Sequence, residues 1–173
     1  MASQFILLTT LFNEKDPARR TEYLYCLNRN KNNPRIKSIT IFYQKADSKD
    51  DFIEELENCG ASIHLVERQP TYHDFFEYSN TYLVDRNIIL CNADIYFDSG
   101  KGLNLLEDVE LGGLFFTLTR YNKLPHIRKL IDEYPNQQGL AIETGEGRLR
   151  SQHLNGSSID TWIYKSPINI DFR

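Results

Sequence analysis

Asn87-Ile88-Ile89-Leu90-Cys91-Asn92-Ala93-Asp94-Ile95-Tyr96-Phe97-Asp98 carries an apolar run straight into an Asn-x-Asp triplet and then a second acid. A short, continuous apolar run is the pattern of a strand covered on both faces. Such strands belong inside α/β sheets, and open α/β sheets bind ligands beyond the carboxyl ends of their strands. Asp94 falls on that rim, where a carboxylate is a hard oxygen ligand for a divalent cation carrying phosphates. The stretch therefore points to an enzyme that handles a nucleoside diphosphate. An Asx-type turn at a strand end is the other reading of the same residues. Asp98, followed by Ser99-Gly100, reads as a turn or cap residue.

The chain on either side supports an α/β fold. Phe5-Ile6-Leu7-Leu8-Thr9-Thr10 reads as a first buried strand, and Asp16-Pro17 as a helix N-cap with proline in the first turn. Tyr23, Leu24 and Leu27 share a face of that helix, which Asn32-Asn33-Pro34 ends. Ile39 to Tyr43 is a second strand. Ser48 and Asp51 resemble a capping box opening a helix with Phe52, Ile53, Leu56 and Cys59 on one face and Gly60 as its stop. Ile63 to Val66 is a third strand, and the spacing of Tyr72, Phe75, Phe76 and Ser79 predicts a helix over 72–82. The order βαβαβαβ argues for a mostly parallel sheet flanked by helices. Beyond it, Leu103, Leu105 and Leu106 suggest a short helix and Leu114 to Leu118 a strand. Ile127 to Tyr134 suggests another helix, 136–158 a polar, Gly-rich binding loop, and Thr161 to Tyr164 a last strand. No repeat or linker divides the 173 residues.

Composition narrows the function. A net charge of -4 and a pI of about 5.6 argue against a nucleic-acid surface, so an anionic ligand must be held by local devices such as a metal ion, an arginine or backbone N–H groups. The three cysteines, Cys26, Cys59 and Cys91, are widely spaced in apolar patterns and read as reduced core residues. No signal peptide or membrane-length apolar run is present, so a cytoplasmic location is expected. The four histidines, His64, His73, His126 and His153, show no metal-ligand spacing. Neither GxxxxGK nor GxGxxG occurs. The segment Thr10-Leu11-Phe12-Asn13-Glu14-Lys15 has no glycine to cradle phosphates, which argues against a sugar-phosphate nucleotidyltransferase.

Six pieces carry a family resemblance in order along the chain. They are Phe12-Asn13-Glu14-Lys15; Arg20-Thr21-Glu22-Tyr23 with Asn33-Pro34-Arg35-Ile36; Arg68-Gln69-Pro70-Thr71-Tyr72; Asn92 to Asp98; Leu118-Thr119-Arg120-Tyr121; and Ser158-Ile159-Asp160-Thr161-Trp162-Ile163-Tyr164. Together they resemble GT-A type nucleotide-sugar glycosyltransferases. The chain is most similar to a compact group from large DNA viruses and some cellular genomes that includes the chlorella-virus rhamnosyltransferase-like domain. The resemblance implies a single GT-A-like, Rossmann-like domain over 1–173. It implies inverting transfer of a sugar from UDP or another nucleoside-diphosphate donor to a glycan or other hydroxyl acceptor, in the host cytoplasm for a viral chain.

In that family the last acid of an Asp-x-Asp triplet holds the metal, so the resemblance gives Asp94 the ligation of Mn2+ or Mg2+. Asn92 is left with a hydrogen-bonding role. Asp160 becomes the general base, needed because a sugar hydroxyl is a poor nucleophile at neutral pH. Thr10, Phe12, Asn13 and Gln44 are placed around the nucleotide, and Arg20, Arg68 and Arg120 near its phosphates or sugar. His153 lies in the region where many such enzymes supply a metal-binding histidine. Trp162 reads as a core anchor that can also stack on a sugar. Relatives continue into a Gly-Cys-Asp-Asn segment, a further helix and a late histidine, whereas this chain ends at Asn169-Ile170-Asp171-Phe172-Arg173. A C-terminally shortened domain is thus expected, and a non-catalytic nucleotide- or sugar-binding module is the alternative.

Overall fold

The computed structural model describes residues 4–45, 50–97, 103–106, 109–118 and 160–169. The elements run β1 (Phe5–Phe12), α1 (Pro17–Lys31), β2 (Ile36–Gln44), α2 (Phe52–Asn58), β3 (Ser62–Val66), α3 (Tyr72–Tyr82) and β4 (Asn87–Cys91). A 3-10 turn at Leu103–Leu106, β5 (Phe115–Leu118) and β6 (Thr161–Lys165) follow. The expected helix over 127–134, the loop over 136–158, and Asp98, Arg120, His126 and His153 lie outside the described residues.

The strands form one six-stranded sheet in the order β3-β2-β1-β4-β6-β5. β1 pairs in parallel with β2 and β4, and β2 with β3. β6 runs antiparallel to both its neighbours. This is the expected α/β fold, a mostly parallel sheet flanked by helices. The chain steps outward from β1 to β2 and β3, then returns to lay β4 on the other side of β1. The reversal of direction opens a crevice between the carboxyl ends of β1 and β4.

Alternation along the strands builds two cores, one on each face. Leu7, Leu11, Ile41, Tyr43 and Ile89 pack toward Tyr23 and Leu27 of α1 and Phe52 and Leu56 of α2. Leu8, Phe42, Ile88, Leu90 and Tyr164 pack toward Phe75 and Phe76 of α3. Each fully buried side chain of this size contributes about 1.5–3 kcal/mol. Burial of both faces explains why these strands read as unbroken apolar runs.

The helix starts show where local sequence was decisive. Asp16 caps α1, its Oδ1 accepting from the Ala18 N–H at 2.9 Å, with proline in the first turn. The capping box expected at Ser48 and Asp51 is not what opens α2. Asp51 is itself the N-cap residue and makes no side-chain cap bond. Asp50 Oδ1 instead accepts from the Phe52 N–H at 3.1 Å, and the Asp51 carboxylate is taken by Arg20 at 2.9 Å. Ser48 lies outside the described residues. A capping box does open α3, where the Asp74 carboxylate accepts from the Thr71 backbone N–H at 2.6 Å. Among the described residues no helix is long and apolar enough to cross a membrane.

Candidate functional site

At the end of β4 the chain folds into a turn, closed by the Ile95 N–H donating to the Asn92 carbonyl at 3.2 Å. The turn reading and the ligand reading of Asn92–Asp94 are therefore compatible, because the turn presents Asp94. Two asparagines at the end of α1 hold the segment that follows. Asn30 donates through Nδ2 to the Ile95 carbonyl at 2.8 Å and accepts from the Phe97 N–H through Oδ1 at 2.9 Å. Asn33 donates to the Phe97 carbonyl at 3.2 Å. Both are buried, so these side chains replace the water that a loop backbone would otherwise need. In the sequence Asn33 stands in a helix stop and in one of the resemblance pieces, without this role, and Asn30 is not singled out.

The antiparallel course of β6 brings in Asp160. Thr161 is opposite Cys91, so the residue before β6 arrives beside the residue after β4. Asn92 donates through Nδ2 to Asp160 Oδ1 at 3.2 Å, and the Asn92 N–H donates to the Asp160 carbonyl at 3.4 Å. The amide at the head of the triplet thus holds the Asp160 carboxylate, where an acid would repel it. Nearby, the rings of Tyr72 and Trp162 meet edge-on at 4.6 Å between centroids. Burial and then the Asp160 charge push the Tyr72 hydroxyl up from its ordinary value. Trp162 also packs against the second core, so the anchor role expected of it holds.

A cleft of about 260 Å³ lies outside the carboxyl ends of β1, β2 and β4, bordered by Thr10, Phe12, Gln44, Asn92 and Asp94. Thr10 spends its hydroxyl proton on the Phe42 carbonyl at 3.0 Å. Phe12 is 49 % exposed at the mouth, unusual for a phenylalanine and suited to a planar ligand. Asn13 follows β1, its Oδ1 accepting from Arg20 at 3.1 Å while its Nδ2 is buried without a hydrogen-bond partner among the described residues.

The arginines divide. Arg20 binds the Glu14 carbonyl at 2.5 Å, Asn13 and Asp51, and covers the Phe52 ring at 4.8 Å, so it ties the β1–α1 loop to α2 and is not among the cleft-lining residues. Arg68 pairs with both oxygens of Asp74, at 2.8 and 2.7 Å, and borders a separate groove beside α3. Arg19, passed over in the sequence, borders the cleft together with Tyr23 and Gln69. Its Nη2 lies 3.0 Å from the Tyr23 hydroxyl and 3.5 Å from Asp94 Oδ2, and its Nη1 pairs with Glu22. The signal was available: Arg19, Tyr23, Cys26, Leu27 and Asn30 recur at helical spacing on the face that α1 turns inward.

The donor set fits a hard cation that brings most of its own ligands. The cleft offers the Asp94 carboxylate with side-chain oxygens of Asn92, Gln44 and Gln69. No group of three His, Cys, Asp or Glu capable of holding a metal occurs among the described residues. Mg2+ and similar ions are commonly held by one or two carboxylates plus substrate phosphates. Among the described residues bordering the cleft there is no thiol; burial, with the nearby Asp94 charge next, pushes the Cys26 thiol up to about 12, and burial raises Cys91.

No protein-family model and no curated protein matches the chain. Among solved structures it is similar to a cytidylyltransferase from Leptospira borgpetersenii serovar Hardjo-bovis, at 17 % identity over 68 % of this chain and 54 % of that one, with a TM-score of 0.49. It is also similar to the mannosyltransferase PcManGT from Pyrobaculum calidifontis in complex with GDP-Man and Mn2+, at 12 % identity over 70 % and 36 %, TM-score 0.44. A third is the apo-form glycosyltransferase GlyE of Streptococcus pneumoniae, at 11 % identity over 78 % and 39 %, TM-score 0.41. The chain spans about half or less of the length of these proteins. At TM-scores below 0.5 the likenesses say nothing of substrate or chemistry.

Proposed function

We propose that this chain is a glycosyltransferase of GT-A type that moves a sugar, with inversion, from a nucleoside-diphosphate donor to an acceptor hydroxyl. The observation that supports it most is the meeting of Asp94 and Asp160 at one rim, linked through Asn92, beside a cleft at the crevice between β1 and β4. The nucleotide lies across β1 and β2, with Phe12 against the base and Thr10 and Asn13 toward its polar edges. Arg20 acts indirectly, by holding Asn13. Asp94, with Asn92 beside it, would hold Mn2+ or Mg2+ together with the donor's phosphate oxygens. When bound, the cation offsets the negative charge that develops on the leaving diphosphate. Asp160 accepts the proton of the acceptor O–H as that oxygen attacks the sugar carbon, with its carboxylate held beside the cleft by the Asn92 amide.

The experiment is a donor-hydrolysis and transfer assay over UDP-, GDP-, CDP-, ADP- and dTDP-sugars with Mn2+ or Mg2+. Release of nucleoside diphosphate is expected, falling about 10²–10⁴-fold in Asp160→Asn with donor affinity retained. Tight binding without release from any donor would leave a binding module of the same fold. The absence of both binding and release would refute the proposal.

A further inference from the structure

We infer that Arg19 is a built-in counter-ion for Asp94, which it neutralises until donor and cation enter and then leaves for the donor's diphosphate. The inference rests on the donor-cleft reading above and assigns a role to a residue that reading does not use. Among the described residues bordering the cleft, Arg19 is the one that carries a positive charge. Arg20 and Arg68 are engaged elsewhere, with Asp51 and Asp74. The contact with Asp94, at 3.5 Å, is at the outer limit of a hydrogen bond, and the Arg19 side chain is 41 % exposed. A contact this long, with a partly solvated guanidinium on one side, is easily exchanged. Tyr23 and Glu22 hold the guanidinium at the cleft wall while that exchange takes place.

The consequence is a pair of effects with opposite signs. A guanidinium and a divalent cation compete for the same carboxylate, so Arg19 opposes binding of the cation alone. The same guanidinium attracts phosphate oxygens, to which it can donate two parallel hydrogen bonds, so it favours binding of a nucleoside diphosphate. A residue that merely supports the fold would weaken both ligands when replaced.

The test measures two affinities in wild type, Arg19→Gln and Arg19→Lys. Mn2+ binding to the nucleotide-free protein is followed by electron paramagnetic resonance. Binding of whichever nucleoside diphosphate the wild type takes, from UDP, GDP, CDP, ADP and dTDP, is followed by calorimetry with Mg2+ present. Arg19→Gln is expected to bind Mn2+ about two- to fivefold more tightly. It is expected to bind the diphosphate about tenfold or more weakly. Arg19→Lys keeps the charge and should stay near wild type for Mn2+ while losing part of the diphosphate affinity. Wild-type diphosphate binding that Arg19→Gln leaves unchanged would overturn this role and spare the donor-cleft reading. A parallel loss of both affinities would do the same. Absence of any diphosphate binding in the wild type would overturn both.

Discussion

Asn92 donates a hydrogen bond to Asp160 at 3.2 Å, and the direction of that bond explains an amide at the head of the Asn92–Asp94 triplet. Asn92→Asp would set two carboxylates against each other and turn Asp160 away. Initial transfer rates are expected to fall about tenfold or more, with the melting temperature little changed. An unchanged rate would show that Asp160 does not depend on Asn92. Asn30 works at the same scale but on stability. Its replacement by alanine strands the Ile95 carbonyl and the Phe97 N–H in the interior. Each of the two stranded groups costs roughly 1–3 kcal/mol, so urea denaturation should show a loss of about 2–6 kcal/mol. A loss below 0.5 kcal/mol, ordinary for a surface change, would contradict the clamp role. The triplet was visible in sequence because an acid after an apolar run is unusual. The clamp was not, because a buried asparagine at a helix end looks the same in sequence as an exposed helix stop.

Among the elements, α3 carries the clearest pH dependence. Hydrogen bonds from Arg68, with those from Thr71, hold the Asp74 carboxyl well below the usual carboxylate range. The unfolded chain therefore binds the proton at higher pH than the folded one, starting near a pKa of about 3.9. The contribution is fully present above that value and is lost as pH falls through the depressed folded value. Asp74→Asn should lower stability at neutral pH by about 1 kcal/mol and flatten the acid limb of the stability profile. An identical acid limb in the variant would remove Asp74 as its source. The range of α3 was legible in its spacing of Tyr72, Phe75, Phe76 and Ser79, and β1 and β4 in their apolar runs. The direction of β6 was not, because alternation along a strand is the same read from either end. That direction, set by pairing with β4, is what carries Asp160 to the rim. Arg19 and Arg20 differ by one position and so by about 100° around the helix. Sequence reading favoured Arg20, which α2 claims.

On the scale of the whole molecule, the order β3-β2-β1-β4-β6-β5 makes the crevice, and the two cores pack the helices against the sheet beneath it. The parallel part of that order was implied by the βαβ alternation, whereas register and the placing of β6 come from contacts distant in sequence. The thiols report on the core beneath the site. Cys26 and Cys91 are buried and raised in pKa, while Cys59 at the end of α2 is partly exposed. In the native state a thiol reagent should modify Cys59 first, with Cys26 and Cys91 reacting only on unfolding. Early modification of either buried thiol would contradict the packing of α1 on β4. The proposed transfer depends on Asp94 holding a cation-bound donor in the cleft. Calorimetric titration of wild type and Asp94→Ala with the nucleoside diphosphate, with and without Mn2+, tests this. Binding strengthened by Mn2+ in the wild type, and weakened at least about tenfold in Asp94→Ala with the Mn2+ effect gone, is the predicted result. Nucleotide binding that ignores Mn2+ and survives Asp94→Ala would contradict it.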